Sequence, residues 1–584
     1  MDSFSQEQKQ YLQGFMAGVE QRGGKPYAGE TPDGDITNDE DEAERDLVDD
    51  VHGTPVDDLN KQERIKLEED PMDIWDRMVE NAKEGKFPEG DDVFRYKSRG
   101  LFYVAPAQEA FMMRCRIPAC MLNTRQLRGI REIGDRWGGG YADITTRGNL
   151  QVREIGASDG IKCLRKLYEI GLTSKGAGAD NVRNVTASPT SGYDPDEVYD
   201  VRQIALGMHQ YILSSGDLFG LPRKFNIAFD NGGRLSVAAD TNDIGFIATE
   251  VGEDADIEPG EYFRIRLGGA SGHRYMAKDA NVVVEPDQCV AVGAAMLRVF
   301  LRNGDRTSRR KARLAKLLDD WGIPKFLEKT EEELAFDFKE VPKEDCKPRV
   351  DMEKHGHLGV HDQAGDGLNY IGVGVPVGRL TTDQMDTVAH IMEEYGQDDV
   401  RFTIFQSLMI PGITDEDVET VKDLITDCGL THNESNVKGG VVACTGNVGC
   451  KFAMTDTKGQ ALELSQYLNE QIDLDHPINI HLTGCPNSCA QHYCGDIGLL
   501  GVTAKDDDGE SVEAYDIALG GGMDEEHGLG RDVVSSVPFD DVPPLLEDML
   551  ETYLDERSSD DETFVEFTRR HEVDELKSMF DLAA

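Results

Sequence analysis

The sequence predicts an α/β chain of the α+β kind, built by internal duplication. Three observations carry this. A strand, a capped helix and two further strand runs occur in that order over residues 111–156 and again over 368–413. Within them ITTRGNL (144–150) is matched by FTIFQSL (402–408), and GLTSKGAGADNVRNV (171–185) by GLTHNESNVKGGVVACTG (429–446). Further on, INIHLTGCPNSC falls where FGLPRKFN falls, and DIALGGG (516–522) where RIRLGGA falls. Where the first copy carries Arg and Lys, the second carries Cys. If the copies pack about a pseudo-twofold axis, cationic loops face thiol loops across a shared cavity.

The elements follow in order. Residues 1–28 suit one short helix anchored by Phe4, Tyr11 and Phe15. From Glu30 to Asp58, thirteen acidic residues stand against Arg45 alone, which predicts an extended acidic arm. The folded chain is expected to begin near Pro71, where Ile74, Trp75, Met78 and Val79 share a helical face closed by Gly85. Residues 102–120 read as apolar strand, interrupted by Arg114 and Arg116. Asn123 and Gln126 form a variant capping box for a helix carrying Leu127, Ile130, Ile133 and Trp137; Thr381 and Gln384 do the same for Met385, Val388, Ile391 and Met392. YADITTRGNLQVREIG reads as two strands broken at Arg147-Gly148. Gly268-Gly269 and Gly520–Gly522 are either amide-donating loops or ordinary turns.

A chain of 584 residues is too long for one core. Its 111 acidic and 61 basic residues leave a formal charge of −50, which argues against nucleic acid and anionic membranes as partners. The acids are spread along the chain, as expected of a protein kept soluble in very high salt; an ordinary acidic protein with an acidic arm is the alternative. Eleven cysteines in no regular framework do not read as a secreted disulfide scaffold. The start lacks a basic and apolar leader and no run of about 18 apolar residues occurs, so a soluble, cytoplasmic monomer is expected.

Chemistry concentrates between Cys444 and Cys494. Cys444 and Cys450 form C-x5-C; Cys485 and Cys489 form C-x3-C. Two tight thiol pairs suggest one metal centre. An iron–sulfur cluster tolerates the wide first gap, because its own corners separate the ligands. Zinc prefers shorter spacing. Structural cysteines or a disulfide remain open from spacing alone.

Taken together, FMMRCRIP, DITTRGNLQ, DNVRN, LPRKFN, the C-x5-C pair and TGCPNSCAQ occur in an order that resembles the sirohaem-dependent ferredoxin–nitrite and sulfite reductases, over roughly residues 71–570. The assimilatory nitrite reductases are the nearest in pattern. The resemblance implies an internally duplicated fold with ferredoxin-like half domains and two related sirohaem/[4Fe–4S] domains. The expected segments are an acidic extension (1–70), a first half domain (71–160), a first sirohaem domain on the anion-binding side (161–350), a second half domain (351–425) and a second sirohaem domain with the cysteines (426–584).

It further implies that Cys444, Cys450, Cys485 and Cys489 ligate a [4Fe–4S] cluster, with Cys489 bridging to sirohaem. Arg147 and Arg223 would hold sirohaem carboxylates, supported by Gln151 and Asn487. Arg114, Arg183, Lys224 and Asn226 match the positions that bind the substrate anion. Gly148 departs from the pattern, which has glutamine there. Cys494 lies outside it and reads as a small buried residue. Sulfite-reducing relatives tend to carry lysine where this chain has Asn226, so nitrite is the expected substrate and sulfite the alternative. A non-catalytic iron–sulfur carrier is the rival of another class.

No Gly-x-Gly-x-x-Gly fingerprint opens a strand–turn–helix unit, so electrons should come from a separate carrier, ferredoxin by resemblance. The basic run Arg302, Arg306, Arg309, Arg310, Lys311, Arg313 and Lys316 would either dock it or pair with internal carboxylates. His355, His357 and His361 are read as loop residues rather than a second metal site.

Overall fold

The computed structural model describes residues 49–506, 509–523 and 527–582. The expected helix over 1–28 and most of the acidic arm lie outside them. Order starts well before Pro71. A hairpin pairs Asp50–Val51 with Thr54–Pro55, and a helix, Lys61–Glu68, follows. Asn60 opens it by accepting the N–H groups of Gln62 and Glu63 on its side chain. The helix holds because its charges are satisfied inside. Glu63 is 2% exposed and pairs with Lys66 at 2.6 Å and with the buried Arg306. Lys66 also donates to the carbonyls of Gly220 and Leu221, at 3.3 and 2.8 Å. Counting acids along the sequence misses a carboxylate that is paired in the interior. Glu63→Gln leaves two buried cations short of one counter-charge. The expected cost is about 3 kcal/mol, seen as a lower denaturant midpoint at unchanged slope.

The two half domains are interlocked. One sheet has the order Arg379–Thr381, Tyr141–Ile144, Leu150–Ile155, Phe111–Arg114, Leu101–Tyr103; the other runs Gly359–Asp362, Leu368–Val373, Leu408–Thr414, Val400–Phe402, Met121–Leu122. Each half thus lends one strand to the other: Leu380 pairs with Ala142, and Val400 with Leu122. Both lent strands come from matching sites. Pro118–Cys120 and Pro376–Gly378 are tight turns with Ala119 and Val377 at φ 55° and 46°, and the capping boxes at Asn123 and Thr381 follow at once. The helices Thr124–Trp137 and Thr382–Glu394 then pack on one another. Their apolar faces fill a single core that includes Leu127, Ile130, Val388 and Ile391. The segments expected as separate half domains therefore share one interior. The helices Gly160–Glu169 and Val418–Asp427 belong to it as well, through Leu164, Leu167, Val421 and Ile425. A boundary at 160/161 or 425/426 would detach or cut these helices.

Each remaining part is a sheet covered by helices. The first runs Val182–Ala187, Phe225–Asp230, Ile244–Val251, Gly260–Leu267, Lys278–Val284, Lys339–Glu340; the second runs Val441–Ala443, Ile480–Thr483, Ile497–Lys505, Ser511–Leu519, Arg531–Pro538. In both, the first three strands are parallel and the next two pairings antiparallel. The register makes Asn226 and Asn479 equivalent. Their N–H groups donate to Asp243 and Asp496 at 2.8 and 2.9 Å. Each aspartate follows a short turn entered through a left-handed residue, Ala238 (φ 47°) or Gln491 (φ 58°). Gly269 and Gly521 close on those turns: an added Cβ would sit 2.3 Å from the carbonyl oxygen of Asp240 or Gly495. Close backbone approach accounts for both glycines.

This register corrects the expected alignment. INIHLT lies where FNIAFD lies, not where FGLPRKFN does, so the TGC turn follows its strand whereas Arg223 and Lys224 precede theirs.

Candidate active site

The thiols come together because two parallel neighbours end side by side. Val441–Ala443 pairs with Ile480–Thr483, and both chains leave at their carboxyl ends into cysteine loops, the edge where open α/β sheets place ligands. Cys444 sulfur accepts the N–H of Gly484 at 3.3 Å. Cys485 accepts the backbone N–H of Asn487 and, at 3.5 Å, its side-chain amide. Amides aimed at sulfur stabilise negative charge there. Cys489 is exposed, yet desolvation pushes its thiol up to about 11, with Cys444, Cys485 and Cys450 adding to the rise and Lys224 opposing it. Exposure combined with desolvation places it on the wall of an internal cleft.

The cations line the same cleft. Arg114 ends its strand with the guanidinium 4.5 Å from the Phe102 ring centre and donates to Ala177 O at 3.3 Å. Burial lowers it to about 10, and Cys489 pulls it back up. Arg183 donates to Ala179 O at 2.7 Å and is held well below the usual arginine value by burial and by Arg114. Lys224 falls to about 7 through burial and then Arg313; Cys489 pulls upward, while Arg183 and Arg223 push down. Arg147 donates to the hydroxyl and carbonyl of Thr241, at 2.9 and 3.1 Å, and sits near 10 through burial. Arg223 reaches Asp180 only at 4.0 Å, and its buried Nε has no partner. The amino-terminal edge of the first sheet thus meets the carboxyl-terminal edge of the second. Cations and thiols do face one another, although they stand at opposite ends of equivalent strands.

Three expected site residues sit one layer back. Asn226 is buried with its amide 3.4 Å from Asp243, which Arg313 pairs at 3.0 Å. It touches the cation set through these two residues. Gln151 accepts from Arg153 at 2.8 Å. Asn487 faces Cys485 sulfur. Gly148, at φ 54°, has no room for a larger residue, since a Cβ would lie 2.3 Å from Cys120 sulfur. Its counterpart Gln406 adopts φ 63°. Through its side chain it ties Ile144 O (3.1 Å) to both the N–H and carbonyl of Ala443 (2.9 Å each), just ahead of Cys444.

Other residues escaped the sequence reading. Arg153, paired with Asp143 at 2.9 Å, donates to Gly449 O at 3.2 Å and to Thr445, and so braces the Cys444–Cys450 loop. Thr146 donates to the carbonyl of Cys489 at 2.9 Å. His273 is exposed and lowered to about 4 by burial and by Arg313, Lys224, Arg223 and Lys316, which puts a neutral imidazole among the cations. Only the run of charged and polar residues around Thr146-Arg147 hinted at any of these.

Cys494 is fully buried in an apolar cluster. His355, His357 and His361 bond to Asn479, Gly439 O and Leu358 O respectively. Most of the basic run is paired within the chain: Arg306 with Glu63, Arg309 with Asp180 and Arg313 with Asp243 in the interior, and Arg302 with Glu333 and Lys316 with Asp319 at the surface. Arg310 and Lys311 stay exposed.

The donor set fits a cluster better than one ion. Among the described residues no three His, Cys, Asp or Glu side chains converge closely enough to hold a single metal, yet Cys485 and Cys489 are each raised in part by the thiols around them. Zinc needs all its donors within about 2.3 Å of one point; a cubane separates them by its own width. The opposite wall fits a polyanion. Among the described residues Arg114, Arg147, Arg183 and Lys224 have no carboxylate at ion-pair distance, in a chain with 50 excess negative charges.

Comparison with known proteins agrees with this geometry. The model of the nitrite and sulphite reductase 4Fe-4S domain matches residues 178–338 and 434–581, and that of the nitrite/sulfite reductase ferredoxin-like half domain matches 105–170 and 361–428. The ferredoxin–nitrite reductase of Synechococcus elongatus is 36% identical over 505 residues, covering 84% of this chain and 96% of that protein. The assimilatory ferredoxin-dependent nitrite reductase of Haloferax mediterranei is 31% identical, covering 80% and 83%. The solved structure of the Mycobacterium tuberculosis NirA protein superposes with a TM-score of 0.82 at 29% identity, covering 89% of this chain and 97% of that one. With both domain types matched twice, in the order the two sheets and the interlocked halves display, the chain belongs to the nitrite and sulphite reductase family.

Proposed function

We propose that the chain is an assimilatory nitrite reductase that converts nitrite to ammonia with six electrons from reduced ferredoxin. The observation that carries this is the cleft in which Arg114, Arg183 and Lys224 lack carboxylate partners, with Arg114 and Lys224 in the field of Cys489. Cys444, Cys450, Cys485 and Cys489 would hold the [4Fe–4S] cluster, and Arg147 and Arg223 would pair bidentately with sirohaem carboxylates. When bound, the two groups supply single electrons and an iron that takes nitrogen of the substrate.

The protein's own part is charge and protons. Arg114 and Arg183, anchored on the carbonyls of Ala177 and Ala179, present fixed N–H groups to the nitrite oxygens. Lys224 carries a transferable proton at a site where burial and neighbouring cations already favour its release. The oxygens can then depart as water.

Reaction products decide the assignment. Purified protein given reduced ferredoxin should form ammonia from nitrite in preference to sulfide from sulfite. Asn226→Lys adds a cation beside Asp243, and the ratio of kcat/KM should move about tenfold toward the sulfite dianion. An unchanged ratio would remove Asn226 from the selection of substrate.

A monomeric, cytoplasmic enzyme completes the proposal. All eleven cysteines are free, as a reducing compartment maintains them. Among the described residues no helix is long and apolar enough to cross a membrane.

A further inference from the structure

A family member driven by an external carrier needs a face for that carrier, and the basic run is largely committed elsewhere. Another surface stands out. Among the described residues seven large apolar side chains are exposed, and Val448, Phe452, Met454 and Leu462 make up four of them within residues 448–462. The loop that carries the first three is closed at its base. Asn447 N–H donates to Thr455 O at 2.9 Å, Ala453 N–H to Cys450 O at 3.1 Å, and Met454 N–H to Gly484 O at 2.8 Å. Val448 and Leu462 continue into a shared groove of about 450 Å³ with Pro376 and Val377.

The loop lies next to the thiols along the chain. Phe452 lies two residues from Cys450, and Met454 is tied to the residue before Cys485. It is also a stretch poor in acids for this chain. Between Asn436 and Leu462 the one acid is Asp456, against Lys438 and Lys451 outside the interior, Lys458 being buried beside Asp143, although acids outnumber bases 111 to 61 overall. Exposed Lys451 lies 5.7 Å from the Phe452 ring centre.

We propose that this apolar face over the Cys450 loop docks the electron donor, a small acidic one-electron iron–sulfur protein of the ferredoxin class. The inference rests on the nitrite reductase reading. Apolar contact suits a protein with this charge. In molar salt the Debye length falls to about 3 Å, so charge steering is lost while burial of Val448, Phe452, Met454 and Leu462 still contributes. Sitting over the C-x5-C loop, the donor is brought to the segment that carries Cys444 and Cys450.

The test compares two donors on the full-length holoprotein. Phe452→Ser and Leu462→Ser should each raise KM for ferredoxin about fivefold or more, in molar KCl as well as in low salt. Nitrite reduction driven by reduced methyl viologen, iron and sulfide content, and visible absorption should stay at wild-type values. Leu462 lies on the helix Thr457–Gln471, twelve residues beyond Cys450, so its variant decides the matter if Phe452→Ser loads less iron. Wild-type KM for ferredoxin in Leu462→Ser overturns the proposal. So does a KM that responds instead to Arg310→Glu with Lys311→Glu, or a loss of self-association with KM unmoved, which would assign the face to a second copy of the chain. Failure of the wild-type protein to reduce nitrite with the dye would count against the nitrite reductase reading itself.

Discussion

Serine in place of Cys489 should yield a folded protein without a complete cluster and with nitrite reduction lowered by about a thousandfold or more. The reason lies in the electrostatics of the cleft. Desolvation and three neighbouring thiols hold the Cys489 proton up to about 11, against the pull of Lys224. Iron bound by this thiol would have to displace that proton, and metal affinity is linked to the removal of thiol protons. A serine hydroxyl is far less acidic and forms a poorer ligand to iron, so the same desolvated site leaves it protonated. Iron and sulfide analysis with the visible spectrum reads the loss directly. Cys494→Ala is the matched control. Its sulfur is as desolvated, at about 12, but packs within an apolar cluster 4.0 Å from Met276 sulfur. It should retain iron and activity and lose about 1 kcal/mol of stability. Full iron content in Cys489→Ser would show that the remaining three thiols suffice.

Local rules made much of the fold legible. The boxes at Asn123 and Thr381 form as their side chains dictate, and both open helices whose apolar faces meet in one core. The duplication is real in both halves of each copy. What the sequence could not show was which partner each repeated element would choose. Met121–Leu122 and Arg379–Thr381 look like ends of their own sheets, yet each crosses to the other copy. Strand exchange depends on the relative placement of two copies, and nothing in either strand encodes it. The helix Lys61–Glu68 was hidden for a related reason: Glu63 and Lys66 looked solvated until Arg306 and Asp180 appeared beside them.

The candidate site divides along the same line. Cysteine pairs announce themselves through spacing, and the four thiols gather where the parallel strands end. Asn226 shows the limit. Read beside Lys224 it resembled a second anion contact, but Lys224 lies before the strand whereas Asn226 is inside it, with its backbone N–H and its side-chain amide both on Asp243. The equivalent Asn479 holds Asp496 in the same way while its side chain meets His355 at 3.1 Å. Asn226 thus keeps a structural bond common to both copies, and whatever selectivity it confers acts through the Asp243–Arg313 pair.

Lys224 gives the prediction with the clearest pH signature. Its ammonium is lowered from 10.5 to about 7 because the cleft removes water and gathers Arg313, Arg183 and Arg223 around it. The charged form is present below that value and is lost as pH rises through it. Anionic groups bound in the cleft move the transition upward, so in the loaded enzyme the fall lies between about 7 and 10.5. The profile of kcat/KM for nitrite should therefore decline on the alkaline side, since that quantity reports groups of the free enzyme. Lys224→Met keeps the side chain's length and removes its proton and charge. It should lower kcat by about a hundredfold or more and abolish the alkaline decline. Lys224→Arg restores charge without a readily released proton, so it should recover KM for nitrite while kcat stays low. If arginine instead restores kcat in full, Lys224 acts by charge alone and the protons reach nitrite by another route, with the neutral His273 beside it as the nearest candidate.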